Sequence, residues 1–262
     1  MIVAADNLTT TRPAVRRAIE ERDERLLARL VGSLVKAGAG WIDLNPGRVP
    51  APERSSTWRF LVETAERACT LPLVIDAPDA ESMETALGFC TRPAVLNFAT
   101  AEPARLGPVL DLAAEHSADV IAATIDARVP ATAEERLALA SIIVEEASGR
   151  SIDGGRLVLD PMVMPLAMPG GEAQARAVIE FLRALPSLFD PKPRTIAALS
   201  NLTTTSAGSD ASAAAAPFLA AAWGAGLDIV MMNVLDPVLA ETARLCEVFS
   251  DERLFAPGEY EA

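Results

Sequence analysis

Four short apolar runs in this chain each end on a side chain that can hydrogen-bond. Leu71-Pro72-Leu73-Val74-Ile75 ends on Asp76, and Ala94-Val95-Leu96 ends on Asn97. Arg156-Leu157-Val158-Leu159 ends on Asp160, and Thr195-Ile196-Ala197-Ala198-Leu199 ends on Ser200-Asn201. Runs of this kind read as fully buried strands. A carboxylate cannot stay unpaired in a dry core, so each polar terminus should sit where its strand leaves the core and meets a cleft. The pattern points to parallel strands converging on one polar mouth.

With the other strand ends included, the candidates are Asp6, Asn7, Asp43, Asn45, Asp76, Asn97, Asp126, Asp160, Ser200, Asn201 and Asn233. The set is rich in Asp and Asn and poor in bases. No lysine stands at a strand end, so Schiff-base chemistry has no nucleophile there. The chain has one histidine, His116, which reads as a surface residue near a helix end. Ser–His and Cys–His nucleophilic catalysis would both depend on it, and neither is expected. A divalent metal held by Asp and Asn is conceivable, but nothing fixes a ligand geometry, and no metal site is assigned. Carboxylates beside amides suit a heterocycle with amidine-like N–H edges, such as a pterin or a guanine, because a carboxylate can accept two parallel N–H bonds. The competing explanation is plain: a strand-end Asp or Asn also caps the helix that follows it.

The elements that position these residues alternate along the chain. Strands are expected at Met1–Ala5, Trp41–Asn45, up to Asp76, up to Asn97, at Asp119–Thr124, up to Asp160, up to Leu199 and at Asp228–Asn233. Asp6 to Thr11 is expected as a polar loop. Helical spacing then runs from Pro13 to Ala37, and further helices follow at about Glu53–Ala68, Asp79–Phe89, Glu102–His116, Ala131–Ala147, Glu172–Leu185, Ala213–Ala225 and Pro237–Phe249. A small-residue loop is expected over Leu202–Ala211, and the acidic tail is expected to fray. Eight strand-plus-helix units with right-handed crossovers imply an α/β fold, a (β/α)8 TIM barrel, as a single domain over residues 1–262. An open doubly wound sheet would need a glycine-rich first turn, and Asp6 to Thr11 contains no glycine.

Composition narrows the rest. The chain has 262 residues, 50% of them hydrophobic, and a formal net charge of −13. That charge argues against nucleic-acid partners. No apolar run reaches the roughly 18 residues of a membrane span, and the first residues lack a basic leader, so a cytoplasmic protein is expected. The three cysteines, Cys69, Cys90 and Cys246, lie far apart and form no disulfide framework or zinc motif.

The stretches Arg17-Ala18-Ile19-Glu20-Glu21-Arg22-Asp23, Ile42-Asp43-Leu44-Asn45-Pro46-Gly47, Ile75-Asp76, Leu96-Asn97, Leu159-Asp160-Pro161 and Leu199-Ser200-Asn201 together carry a resemblance. The chain resembles the pterin-binding barrel superfamily and, within it, the methyltetrahydrofolate:corrinoid protein methyltransferases, over nearly its full length. The resemblance implies that Asp76, Asn97 and Asp160 hydrogen-bond a pterin, with Asp43, Asn45 and Ser200 beside them. It implies that Asn201 acts next to the methyl-bearing nitrogen as the catalytic group. Tetrahydrofolate or methyltetrahydrofolate would be the substrate, a corrinoid (cobalamin) would come from a partner corrinoid protein, and a homodimer is expected. Dihydropteroate synthases share the barrel, but they carry a lysine-bearing loop after strand seven and an Arg-x-His at strand eight. This chain has Asn201-Leu202-Thr203 and Met231-Met232-Asn233 there. It departs from the corrinoid methyltransferases in having Asp6-Asn7-Leu8-Thr9 after strand one and a bland Thr203–Ser209 loop. A dihydropteroate-synthase-like enzyme and a barrel that binds pterin without catalysis are the alternatives.

Overall fold

A computed structural model describes residues 1–204 and 209–249. Eight parallel strands close into a barrel in sequence order: β1 (Ile2–Thr9), β2 (Trp41–Asn45), β3 (Leu73–Asp76), β4 (Val95–Thr100), β5 (Asp119–Ala123), β6 (Leu157–Asp160), β7 (Arg194–Ala198) and β8 (Ile229–Met232). β1 pairs with both β2 and β8, which completes the ring. The described helices are α1 (Pro13–Glu20), α2 (Glu24–Lys36), α3 (Ala51–Ala68), α4 (Ala80–Leu87), α5 (Pro103–Glu115), α6 (Ala133–Ser148), α7 (Gly171–Ala184), α8 (Leu199–Leu202), α9 (Ser209–Gly224) and α10 (Pro237–Val248). None of them is long and apolar enough to cross a membrane.

The period of two along each strand sorts the side chains into two cores. Outward residues such as Ile42, Leu44, Ile75, Leu96 and Leu159 pack under the helices. Inward residues Ala4, Trp41, Val74, Val95, Ile121, Val158, Ile196 and Ile229 meet one another inside the barrel, with Met231, and close its floor. Two residues further along β1, β2, β3, β4 and β6 stand Asp6, Asp43, Asp76, Asn97 and Asp160. The alternation that buries the floor therefore places a polar layer directly above it.

Four local readings of the sequence need correction. Asp6-Asn7-Leu8-Thr9 is strand, not loop: β1 shifts register between Ala5 and Leu8 and continues beside Leu44 and Asn45. Asp6 then points into the barrel, while Leu8 is buried in the outer core. The first helix is two. Arg22 is left-handed (φ 52°), and the Asp23 carboxylate accepts the Leu26 N–H at 2.9 Å, starting a new helix. Leu199-Ser200-Asn201 does not end the seventh strand; it forms the helical turn α8. The small-residue loop expected over Leu202–Ala211 is shorter than that, since Leu202 closes α8 and Ser209 already opens α9; its residues 205–208 and the tail lie outside the described residues.

The long loop after β6 folds back on α7 and on α8. Leu166 N–H donates to the Leu202 carbonyl at 3.0 Å. Gly171 opens α7 so close to this loop that a Cβ would lie 2.5 Å from the carbonyl oxygens of both Pro165 and Leu166. Neither oxygen belongs to a flexible side chain. Gly171→Ala should therefore cost about 1–3 kcal/mol through overpacking of the loop that carries Met162, read as a lowered midpoint in chemical denaturation.

Candidate active site

The polar layer opens into a cavity of about 460 Å3 at the C-terminal ends of the strands. Asp43, Asn45, Asp76, Asn97, Asp160, Ser200 and Asn201 all line it. Sites in closed parallel barrels sit on this face because only there do the loops of all eight strands converge. Three strand-end candidates stay outside. Asp126 is exposed and accepts the Arg128 N–H at 3.0 Å, an ordinary loop turn. Asn7 does not line the cavity; its amide donates to Asn233 Oδ1 at 2.5 Å and accepts from Val234 N–H, tying β1 to the segment after β8, and Asn233 lines only a smaller cavity alongside. His116 is exposed at the C-terminus of α5, on the face opposite the mouth.

The lining also holds residues that the strand-end pattern does not contain: Thr9, Thr11, Arg12, Phe98 and Met162. Arg12 adds a cation to a site whose strand-end set is poor in bases. It stands just before the helix-starting Pro13, half-buried, and its charge bears on Asp6. Phe98 follows Asn97 across a cis peptide bond, and the Arg105 guanidinium lies 4.9 Å from its ring centroid while Nε donates to its carbonyl at 3.2 Å. The adjacency of Phe98 to Asn97 was a signal available in the sequence; the fold-back of Arg12 was not. A smaller cavity of about 250 Å3 adjoins the first, sharing Asp6, Arg12 and Ser200.

Burial dominates the electrostatics. Asp43 is 2% exposed, and its Oδ1 has no hydrogen-bond partner among the described residues. Burial first, and then the charges of Asp76 and Asp6, hold its carboxyl well above the ordinary carboxylate range. Burial pushes Asp76 up to about 6, against the opposing pull of Asn45, Asn97 and Arg105. Asn45 Nδ2 donates to Asp76 Oδ2 at 2.6 Å, while Asn45 Oδ1 accepts the Gly47 N–H, which fixes the amide's orientation. Burial likewise raises Asp160 to about 6, opposed by the Met162 N–H at 2.7 Å and by the charge of Arg136. Asp6 is raised by burial too, with the Ser200 hydroxyl and Arg12 acting the other way. The Asn201 side-chain amide makes no hydrogen bond to the described protein, so its donor and acceptor are both available to a ligand. The site thus offers carboxylates and amides that can take N–H groups, one guanidinium at the rim, and no imidazole or ammonium among the lining residues.

These raised values mark a cost to folding. Asp76 and Asp160 bind protons more tightly folded than unfolded, so their contribution to stability is full below the unfolded value near 4. It is lost as pH rises through about 6. The ligand-free chain should therefore lose stability between pH 4 and 7 from these two groups. Asp160→Asn should raise stability at pH 7 by about 1–3 kcal/mol and flatten that pH dependence in urea titrations. A variant less stable than the parent at pH 7 would show that the carboxylate is not held at a cost.

The family described as pterin binding enzyme matches residues 10–233. The methylcorrinoid:tetrahydrofolate methyltransferase of Eubacterium limosum is 31% identical over 170 residues, 64% of this chain and 62% of that protein. The match thus spans less than two thirds of that relative's length. The dihydropteroate synthase of Xanthomonas albilineans is similar in structure. In complex with 4-aminobenzoic acid it superposes with a TM-score of 0.68 at 18% identity, covering 94% of this chain and 90% of that one. In complex with indole-2-carboxylic acid and 6-chloroguanine it gives 0.70 at 18% identity, with the same coverage. At that identity the likeness is one of fold. The family match covers most of the barrel and its mouth, and the chain belongs to the pterin-binding enzyme family.

Proposed function

We propose that this chain moves a methyl group between N5 of tetrahydrofolate and the cobalt of a corrinoid carried on a partner protein. The observation that carries the reading is the Asn201 amide, unpaired among the described residues, on the rim of a cavity whose depth holds Asp76, Asn97 and Asp160. The 31% identity to a methylcorrinoid:tetrahydrofolate methyltransferase supports it, and that relative's name writes the corrinoid as donor. The sequence at the end of β8, Met231-Met232-Asn233, supports it against dihydropteroate synthesis, which relies on an Arg-x-His there. A corrinoid-binding partner fits this chain because the one histidine, His116, lies far from the mouth and offers cobalt no ligand at the site. A cytoplasmic homodimer belongs to the same reading.

Within it, the residues divide the work. Asp160, Asp76 and Asn97 would grip the pterin's N–H edge and adjacent acceptors, and Asn45 would hold Asp76 in place. The corrinoid supplies a cobalt centre able to exchange a methyl group. A nitrogen that gives up a methyl group gains basicity as the bond breaks, so a hydrogen bond to N5 that strengthens along the reaction lowers the barrier. Asn201 can donate to the free amine or accept from the protonated one, because its amide has both functions. A proton for N5 is available from solvent at the mouth. A single group of this kind is worth on the order of 3 kcal/mol, about a hundredfold in rate.

Asn201→Ala should lower methyl-transfer turnover about a hundredfold while leaving tetrahydrofolate affinity within a few-fold. Asp160→Ala should instead weaken binding about tenfold or more, since it removes an acceptor of the pterin's N–H bonds. Stopped-flow spectroscopy of the corrinoid and calorimetry with tetrahydrofolate read the two effects. Wild-type rates in both variants would remove the assigned roles. Condensation of p-aminobenzoate with a dihydropterin diphosphate would instead establish the synthase reading, and tetrahydrofolate binding with neither activity a barrel that binds without catalysis.

A further inference from the structure

Behind the cavity wall sits a buried arginine that the strand-end pattern did not single out. Arg136, in the first turn of α6, is 0% exposed. Its Nε donates to the Pro161 carbonyl at 2.7 Å, Nη1 to the Thr132 carbonyl at 3.1 Å and Nη2 to Gln174 Oε1 at 2.6 Å. All three acceptors are neutral. A fully buried guanidinium without a carboxylate at contact distance is an expensive arrangement, and it needs a reason. The nearest charges that bear on it are Glu135 and Asp160, and Glu135 is already paired with Arg128 at 2.8 Å on the surface.

The Pro161 carbonyl belongs to the same peptide group as the Met162 N–H. The bond is trans, so the two ends point in opposite directions. One end faces Arg136; the other donates to Asp160 Oδ1 at 2.7 Å. Met162 has φ 61°, a left-handed conformation rare for a residue with a side chain. A half-turn of the peptide would carry that φ into the extended region that L residues favour. It would also swing the carbonyl oxygen toward Asp160, lone pair against carboxylate. The observed orientation is therefore held against a local backbone preference, by charge-assisted bonds at both ends: Arg136 to the carbonyl and Asp160 to the N–H.

We propose that Arg136 is a positioning residue: it clamps the Pro161–Met162 peptide so that its N–H, not its carbonyl, meets Asp160 and keeps that side chain a carboxylate aimed into the cavity. The use of that carboxylate to receive a pterin's N–H edge rests on the function proposed above; the clamp itself does not. The other charged groups facing Asp160 across the cavity are Asp6, Asp43, Asp76 and Arg12. Burial is what raises Asp160, and the Met162 N–H and the charge of Arg136 are what oppose it.

The clamp can be tested on the ligand-free chain by following the Asp160 carboxyl carbon in a 13C NMR titration, assigned by its loss in Asp160→Asn. Arg136→Met should raise the midpoint by about one pH unit or more. Gln174→Leu, which frees one arm but leaves the clamp and the charge, should leave it within a few tenths. An unmoved or lowered midpoint in Arg136→Met overturns the proposal. If that variant does not fold, Arg136→Ala decides in its place: a raised midpoint sustains the clamp, and an unmoved one overturns it. Calorimetry with tetrahydrofolate then separates this from mere structural damage. Arg136→Met should bind severalfold more weakly at pH 7, regain most of the loss at pH 8.5, and add nothing to Asp160→Asn. A loss equal at both pH values overturns the positioning role. A moved midpoint in a chain whose wild type binds no tetrahydrofolate sustains the clamp and defeats the functional reading alone.

Discussion

Burying several carboxyl groups around one cavity is the constraint on which the rest of this structure turns. Asp6, Asp43, Asp76 and Asp160 share a space with one guanidinium at its rim. Burial raises each of them, and for Asp43 the neighbouring carboxylates add to it. Folding alone does not call for such a layer: an apolar layer of the same size would cost less to bury. What surrounds the layer is a set of devices that limit the cost. Asn45 is oriented by the Gly47 N–H before it donates to Asp76, Arg105 lends charge to the same group, and the Met162 N–H is turned toward Asp160. A cavity with carboxyl acceptors beside amide and hydroxyl groups is complementary to a flat heterocycle that carries N–H groups and acceptors on its edge.

The barrel supplies the precision. Each carboxyl stands two residues above an apolar floor residue on its own strand, so its height is set by the pleat and its lateral position by the register of neighbouring strands. Asp76 lies beside Asn97 in the β3–β4 pairing, and Ala123 beside Asp160 in the β5–β6 pairing. Sites held on strands in this way move little, whereas three partners of the site, Arg12, Met162 and Asn201, come from the segments that follow strands. That division suits a reaction in which one ring is gripped firmly and a second, larger reactant approaches from outside. The shared membership of the pterin-binding family fits the gripped half. The reactant at the mouth is where members with one fold can differ, because fold and family do not specify the chemistry of the loops.

How much was legible before any coordinates follows from the range of each signal. Period-two alternation and a break at Pro or Gly are local, and they announced eight strands, the barrel, and Asp43, Asn45, Asp76, Asn97 and Asp160 as a converging set. Where local rules competed, the reading slipped. Asp6-Asn7-Leu8-Thr9 is polar enough to suggest a loop, yet pairing with β2 draws it into the sheet. Arg17 to Asp23 keeps helical spacing through a residue that turns left-handed, with Asp23 restarting the helix. Asn7 and Asn233 have the type and position of site residues but bond to each other; neither lines the main cavity, and Asn233 reaches only the smaller one beside it.

The amino-acid sequence by itself determined the fold class and the inward-facing acids and amides, because both follow from the order of polar and apolar residues along single strands. Only the tertiary structure decided which groups bear on one another. It brought Arg12 to the rim, left Asp43 Oδ1 without a partner among the described residues, and set Arg136 behind the Pro161–Met162 peptide. The physical reason is that burial, charge coupling and peptide orientation depend on distances between residues far apart in the chain, and no periodicity along a single segment encodes those.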